Sequence, residues 1–238
     1  IMWCLKQHDY DKSETAQQIQ MLHRVRQRRL ANRTAVMNQQ RALLREHGIV
    51  VARGAAALSR TVAEQLAPEA ELDVRAQALL SELRAEREEL EAGIARVERE
   101  LARLFRESEA CQRLAEVPGI GLITATALMA WLGDVHRFRR GRALAAWLGL
   151  TPAEHSSGEQ QRLGAITKRG NTYLRTLLVH GARSARNAAM RRDDPRSRWL
   201  QRLTARRGAN RAAVALANKN ARIVWALLAH GTRYQPGA

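Results

Sequence analysis

Two short stretches hold residue types from which chemistry on phosphate can be built. The first is Thr151-Pro-Ala-Glu-His-Ser-Ser-Gly158, where a serine directly precedes a glycine. Arg162, Lys168, Arg169 and Arg175 follow close behind, three of them in or beside Gly164-Ala-Ile-Thr-Lys-Arg-Gly-Asn171. A serine hydroxyl becomes a nucleophile on phosphorus when nearby cations lower its pKa and stabilise charge on the phosphoryl oxygens. A glycine beside it lets backbone approach the substrate. Ser157, the serine beside that glycine, is a candidate nucleophile on these grounds. The same pattern also describes an ordinary surface loop. No G-x-S-x-G elbow is present, so a hydrolase triad is not indicated, and Gly164-Ala-Ile-Thr-Lys does not match a P-loop.

The second stretch is Val117-Pro-Gly-Ile-Gly-Leu-Ile-Thr-Ala-Thr-Ala-Leu128. It reads as a helix-hairpin-helix. Gly119 and Gly121 permit a tight turn and leave amides unhindered, and the N-terminus of the following helix favours an anion. Such a turn holds backbone phosphate rather than bases. The alternative is a plain helical corner whose glycines serve packing. Further cations are candidates for the same partner: Arg139 and Arg140 before an apolar helix, and Lys219 and Arg222 on the polar side of Ala217-Asn-Lys-Asn-Ala-Arg222. Trp147 and Leu148 read as core.

The elements that must position these residues are helical. Apolar positions recur at helical spacing from Ala16 to His47, with Ser13 as a cap and Gly48 as a stop; Arg24, Arg28, Arg41 and Arg45 occupy the other face. A weaker helix covers 55–66 and is closed by Pro68. From Leu72 to about Glu107 runs a long polar helix with the stripe Leu83, Leu90, Ile94, Val97, Leu101 and Leu104, broken at Arg87. That is a coiled-coil seam. It either folds back on the first helix or pairs between two copies. Beyond Pro118 the helices shorten, to roughly 108–116, 122–132, 140–148, 170–190, 195–206 and 210–230. Few stretches alternate with period two. The expected fold is all-α (mainly): a helical and coiled-coil region over 1–110, then a compact helical domain over 111–238. Residues 1–12 have no clear period.

Charge separates along the same line. The formal net charge is +17. Residues 111–238 hold twenty-two Lys/Arg against six Asp/Glu, whereas residues 60–110 hold eight against thirteen. Only Lys168 and Lys219 among those twenty-two are lysines, and Arg suits bidentate phosphate contacts. Arg-rich coding alone does not explain the segregation, so nucleic acid is the expected partner. Cys4 and Cys111 make neither a disulfide framework nor a zinc site, and no HExxH is present. No apolar run is long enough to span a membrane. A cytoplasmic setting fits, with no membrane partner.

Together these residues resemble the carboxy-terminal half of insertion-sequence 110 family transposases, the 110/116/902 group. The resemblance is carried by Val117-Pro-Gly-Ile-Gly121 with Ala125 and Leu128, by Gly133-Asp134 and Arg137-Phe138, and by Leu144-Ala-Ala-Trp-Leu-Gly-Leu-Thr-Pro152. Ser157-Gly158, Gly164-Ala-Ile-Thr-Lys-Arg-Gly-Asn171 with Leu174-Arg175, and Ala217-Asn-Lys-Asn-Ala-Arg222 add to it. It is tight over about 114–190 and looser over about 15–235. The family cuts and rejoins double-stranded DNA under a structured guide RNA, using an amino-terminal RuvC-like domain whose four acidic residues bind magnesium. A coiled-coil region helps it oligomerise, and a carboxy-terminal serine attacks the DNA phosphate and becomes covalently linked. By motif position that serine is Ser157, directly before Gly158, with Ser156 as the fallback.

The RuvC-like domain and its acidic residues have no counterpart in these 238 residues; His8-Asp-Tyr-Asp11 does not match them. The chain is accordingly expected to be the carboxy-terminal two thirds of a transposase, with no cofactor of its own, Mg2+ belonging to the RuvC-like domain, and inactive alone. Two other readings stand beside the recombinase: a non-catalytic remnant that binds guide RNA or element DNA, and a junction or repair protein using the helix-hairpin-helix.

Overall fold

The computed structural model describes residues 13–154, 157, 160 and 162–235. The stretch 1–12, with His8-Asp-Tyr-Asp11, lies outside the described residues, as do Ser156 and Gly158. Among the described residues nine α-helices and one two-stranded sheet make the fold mainly α. They divide into two compact units, one of residues 21–100 and one of residues 101–235 with 13–20.

The 21–100 unit is a helical hairpin. Helix α1 (Glu14–Glu46) starts where Ser13 Oγ accepts the Ala16 amide, and it ends at Gly48 with φ +79°. Helix α2 (Ala55–Gln65) covers the far end, and helix α3 (Val74–Glu107) returns. Three pairs fix the return as antiparallel: Arg26 Nε to Glu98 Oε1 at 2.7 Å, Arg29 Nη1 to the Gly93 carbonyl at 2.6 Å, and Arg87 Nη1 to Gln40 Oε1 at 3.5 Å. Of the two pairings open to the α3 stripe, folding back on α1 is realised. Arg87, where the stripe breaks, still points inward and is 6% exposed. His23 is fully buried, and burial with the nearby Arg26 lowers its pKa to about 4, which keeps it neutral at pH 7. Leu44, Leu58, Val62, Leu72, Ala76 and Leu80 form the apolar plug under α2.

The second unit is built around its last helix. Helices α4 (Glu109–Ala115), α5 (Leu122–Leu132), α6 (Gly141–Trp147), α7 (Thr172–Ala189), α8 (Pro195–Arg207) and α9 (Ala209–His230) share one core. A single 3-10 turn, Val135–Arg137, joins α5 to α6. Leu216, Ala217, Ala221, Val224 and Leu227 of α9 are buried in that core, so its alanines let neighbouring helices come close. Two of the longer helices start on side-chain caps: Asn171 caps α7 through the Leu174 amide at 3.0 Å, and Asp194 caps α8 through the Ser197 amide at 2.9 Å with Pro195 next. The stretch expected to be loop forms a hairpin instead, strands β1 (Pro152–Glu154) and β2 (Leu163–Ile166) pairing antiparallel with a bulge. Its residues are mostly exposed on both faces, so no period-two hydrophobic signal marked it.

Candidate nucleic-acid interface

The turn between α4 and α5 packs closely on α7, against Gly181 and the Ala185 methyl. Gly119 has φ +94°, and a Cβ there would lie 2.8 Å from the Gly181 carbonyl oxygen; a Cβ on Gly181 would lie 1.9 Å from the Gly119 oxygen. The Pro118 carbonyl accepts from Asn220 Nδ2 at 3.1 Å and Arg196 Nη2 at 3.2 Å. Gly119 is thus taken up by packing. Gly121 differs: it starts α5, a Cβ would meet open space, and no side chain caps the helix there. The first-turn amides of α5 have no intrahelical partner and no side-chain cap, so of the two glycines Gly121 is the one left open.

Ser157 is exposed and exchanges backbone hydrogen bonds with Gln160, at 3.3 Å and 3.2 Å, on the far side of the hairpin from its base. Arg162 Nη2 donates to Gln160 Oε1 at 3.0 Å, which brings one predicted cation beside the serine pair. The base of the hairpin is a backbone knot. The Thr167 amide donates to the Thr151 carbonyl and the Lys168 amide to that of Gly149. Gly149 at φ +68° and Gly170 at φ +95° press so closely on Arg169 and Trp147 that a Cβ at either would sit 2.0 Å or less from a carbonyl oxygen.

The predicted cations around this knot divide. Arg175 is half-buried, and its guanidinium is committed to protein oxygens: Leu148 O at 3.2 Å, Arg169 O at 3.4 Å and Thr172 Oγ1 at 3.1 Å. It clasps the knot. Lys168 and Arg169 are exposed, and Lys168 holds a left-handed backbone at φ +54°.

A trough runs along α9 and joins the rest. Beside the hairpin base is a hollow of about 830 Å³ lined by Leu163, Ile166, Asn210, Arg207, Arg211 and Asn218. It continues past Asn218 and Ala215 into a second hollow of about 690 Å³ with Arg140, Arg142, Lys219, Arg222, Trp199 and Trp225. Asn218 ties the trough floor to the Leu150 carbonyl at 3.1 Å, and Trp225 Nε1 ties it to Phe138 O at 2.8 Å. Lys219 Nζ stands 5.1 Å over the Trp199 ring. The residues lining both hollows include six cations and no carboxylate. Arg139 is exposed but does not line them. Arg137 stacks on Phe138 and Trp147, so Trp147 is half-buried core with a cation on its face.

Arg142, Arg207, Arg211 and Trp199 join this surface without having been singled out in the sequence. The available signal was the Arg-Arg-Gly pattern at 139–141 and 206–208: Arg142 and Arg211 lie one and three residues past its glycine, each near the start of a helix. No group of three or more His, Cys, Asp or Glu able to hold a metal exists among the described residues, and no described helix is long and apolar enough to cross a membrane.

The second unit is a helical domain with a cation-lined trough and an exposed serine hairpin, a surface whose charge complements a polyanion. The sequence model described as "Transposase IS116/IS110/IS902 family" matches residues 111–198, which hold the turn and the hairpin. A probable family 20 transposase of Pseudomonas aeruginosa is 52% identical over 228 residues, covering 95% of this chain and 68% of its own length. The transposase for insertion sequence element IS1111A of Coxiella burnetii is 43% identical, covering 95% and 63%. The transposase for IS1328 of Yersinia enterocolitica is 37% identical, covering 93% and 66%. The chain belongs to the IS116/IS110/IS902 family of transposases, and it spans about two thirds of the length of these relatives.

Proposed function

We propose that this chain is the DNA-handling part of an insertion-sequence transposase, in which the Ser157 hydroxyl attacks a DNA phosphate. The bond formed joins serine oxygen to phosphorus, and the bond broken is the phosphodiester link to the leaving strand end. The observation that carries the reading is the position of Ser157: exposed, paired with Gln160, beside Arg162, on a hairpin whose base lines the cationic trough. Arg162, Lys168 and Arg169 supply positive charge for the phosphoryl oxygens. The open N-terminus of α5 at Gly121 and the trough cations hold flanking backbone. A structured guide RNA and a second copy of the protein are partners in the same reading.

The test uses a transposase of the relatives' full length that contains this chain. Ser157→Ala is expected to abolish DNA joining and the covalent protein–DNA adduct while nucleic-acid binding stays within about twofold of the parent. Normal joining by that variant sinks the assignment and leaves a binding module without catalysis.

A further inference from the structure

The trough has a feature that phosphate binding alone does not need. Trp199 of α8 is half-buried and lines the hollow of about 690 Å³. It also lines a neighbouring hollow of about 640 Å³ that Arg196, Lys219 and Tyr234 share. An indole therefore lines two open spaces, with Lys219 Nζ above its ring at 5.1 Å and Arg140, Arg142 and Arg222 lining one of the two with it. Duplex backbone is held by cations and amides, with bases turned inward. Grooves that alternate cations with an accessible aromatic ring suit a strand whose bases are free to stack.

We propose that the α9 trough binds an unpaired DNA strand, with one base stacked at Trp199 and its neighbouring phosphates on Arg140, Arg142, Lys219 and Arg222. The inference rests on the DNA reading above, and it adds that the strand leading to the Ser157 hairpin is held single. Three observations argue for that occupant. The lining cations have no carboxylate among them, which complements a polyanion. The trough is continuous with the hairpin base through Leu163 and Ile166, so a strand lying in it passes the base of the hairpin that carries Ser157. Each hollow, of about 830 and 690 Å³, has room for a few nucleotides of one strand.

The experiment measures affinity of the whole chain by fluorescence anisotropy for three probes of one sequence and about twelve nucleotides: single-stranded DNA, the DNA duplex, and single-stranded RNA. Single-stranded DNA is expected to bind at least tenfold more tightly than the duplex. Trp199→Ala is expected to weaken it by about tenfold with no change in salt slope, and Trp199→Phe is expected to restore most of the loss. Arg222→Gln is expected to lower the salt slope by about 0.7. Circular dichroism melting of each variant separates lost stacking from lost fold. Equal binding of single strand and duplex overturns the inference while leaving the DNA reading standing. So does a Trp199→Ala variant, folded as the parent, that binds single-stranded DNA unchanged. Tighter binding of the RNA probe overturns the assignment to DNA. Absence of salt-sensitive binding to all three probes overturns the DNA reading itself.

Discussion

At the scale of single residues, two glycines of one motif turn out to serve different ends. Val117-Pro-Gly-Ile-Gly121 offers both to a phosphate, since both leave amides bare. Only the three-dimensional neighbour separates them: Gly119 lies against Gly181 of α7, sixty-two positions on, and Gly121 faces open space. Gly181 drew no notice because a helical glycine carries no turn signal of its own. Gly181→Ala drives a methyl into the Gly119 carbonyl and is expected to cost on the order of 3 kcal/mol, read as a lower urea midpoint at unchanged slope. Gly119→Ala adds left-handed strain to a shorter overlap and is expected to cost about as much. Gly121→Ala, at φ −96° with nothing nearby, is expected to leave stability within about 0.5 kcal/mol. Its methyl sits beside the open amides of α5, so its DNA affinity is expected to fall several-fold. Unaltered affinity would mark the whole turn as a packing corner.

At the scale of elements, the helices were legible and the site between them less so. Period and punctuation placed α1, α3 and α9 closely, because an amphipathic helix writes its buried face into the sequence. The stripe in α3 showed a face seeking a partner, but two partners satisfy the same stripe, and only the Arg26–Glu98 and Arg29–Gly93 pairs identify α1. The β1–β2 hairpin was missed because neither face is buried, so alternation had nothing to record. Arg175 illustrates the remaining difficulty. Sequence proximity grouped it with Lys168 and Arg169 as a phosphate ligand, yet one helical turn into α7 its guanidinium reaches the carbonyls of Leu148 and Arg169. Arg175→Ala is therefore expected to lower stability by about 1–3 kcal/mol, the cost of carbonyls losing a charged donor. Lys168→Gly relieves a left-handed lysine and is expected to raise stability by up to about 1 kcal/mol while weakening nucleic-acid binding. Equilibrium unfolding and anisotropy on the two variants are expected to move in opposite senses; a destabilised Lys168→Gly, or an Arg175→Ala that loses only affinity, reverses the assignment of roles.

At the scale of the molecule, charge segregation is the property that sequence showed most directly and that structure turned into a surface. The excess of Arg beyond residue 110 points to an anionic partner but not to a face, since helices spread successive residues around their axes. The trough collects Arg207 and Arg211 beside the hairpin and Arg140, Arg142, Lys219 and Arg222 beyond Asn218, from three helices and one helix cap. Six cations acting on one strand predict a definite salt response, because each neutralised phosphate of a single strand releases about 0.7 counterion. The logarithm of affinity is expected to fall with the logarithm of salt at a slope of about −4. Raising salt from about 50 to 200 mM then weakens binding by a few hundredfold. Changing Arg207 and Arg211 together to Gln is expected to reduce the slope by about 1.4, as is changing Arg140 and Arg142 together, with the two pairs additive because no side chain is common to them. A slope near zero in the parent would remove phosphate contacts from the account. A slope of −4 that neither pair reduces would move the polyanion off the trough, onto the exposed arginines of another face.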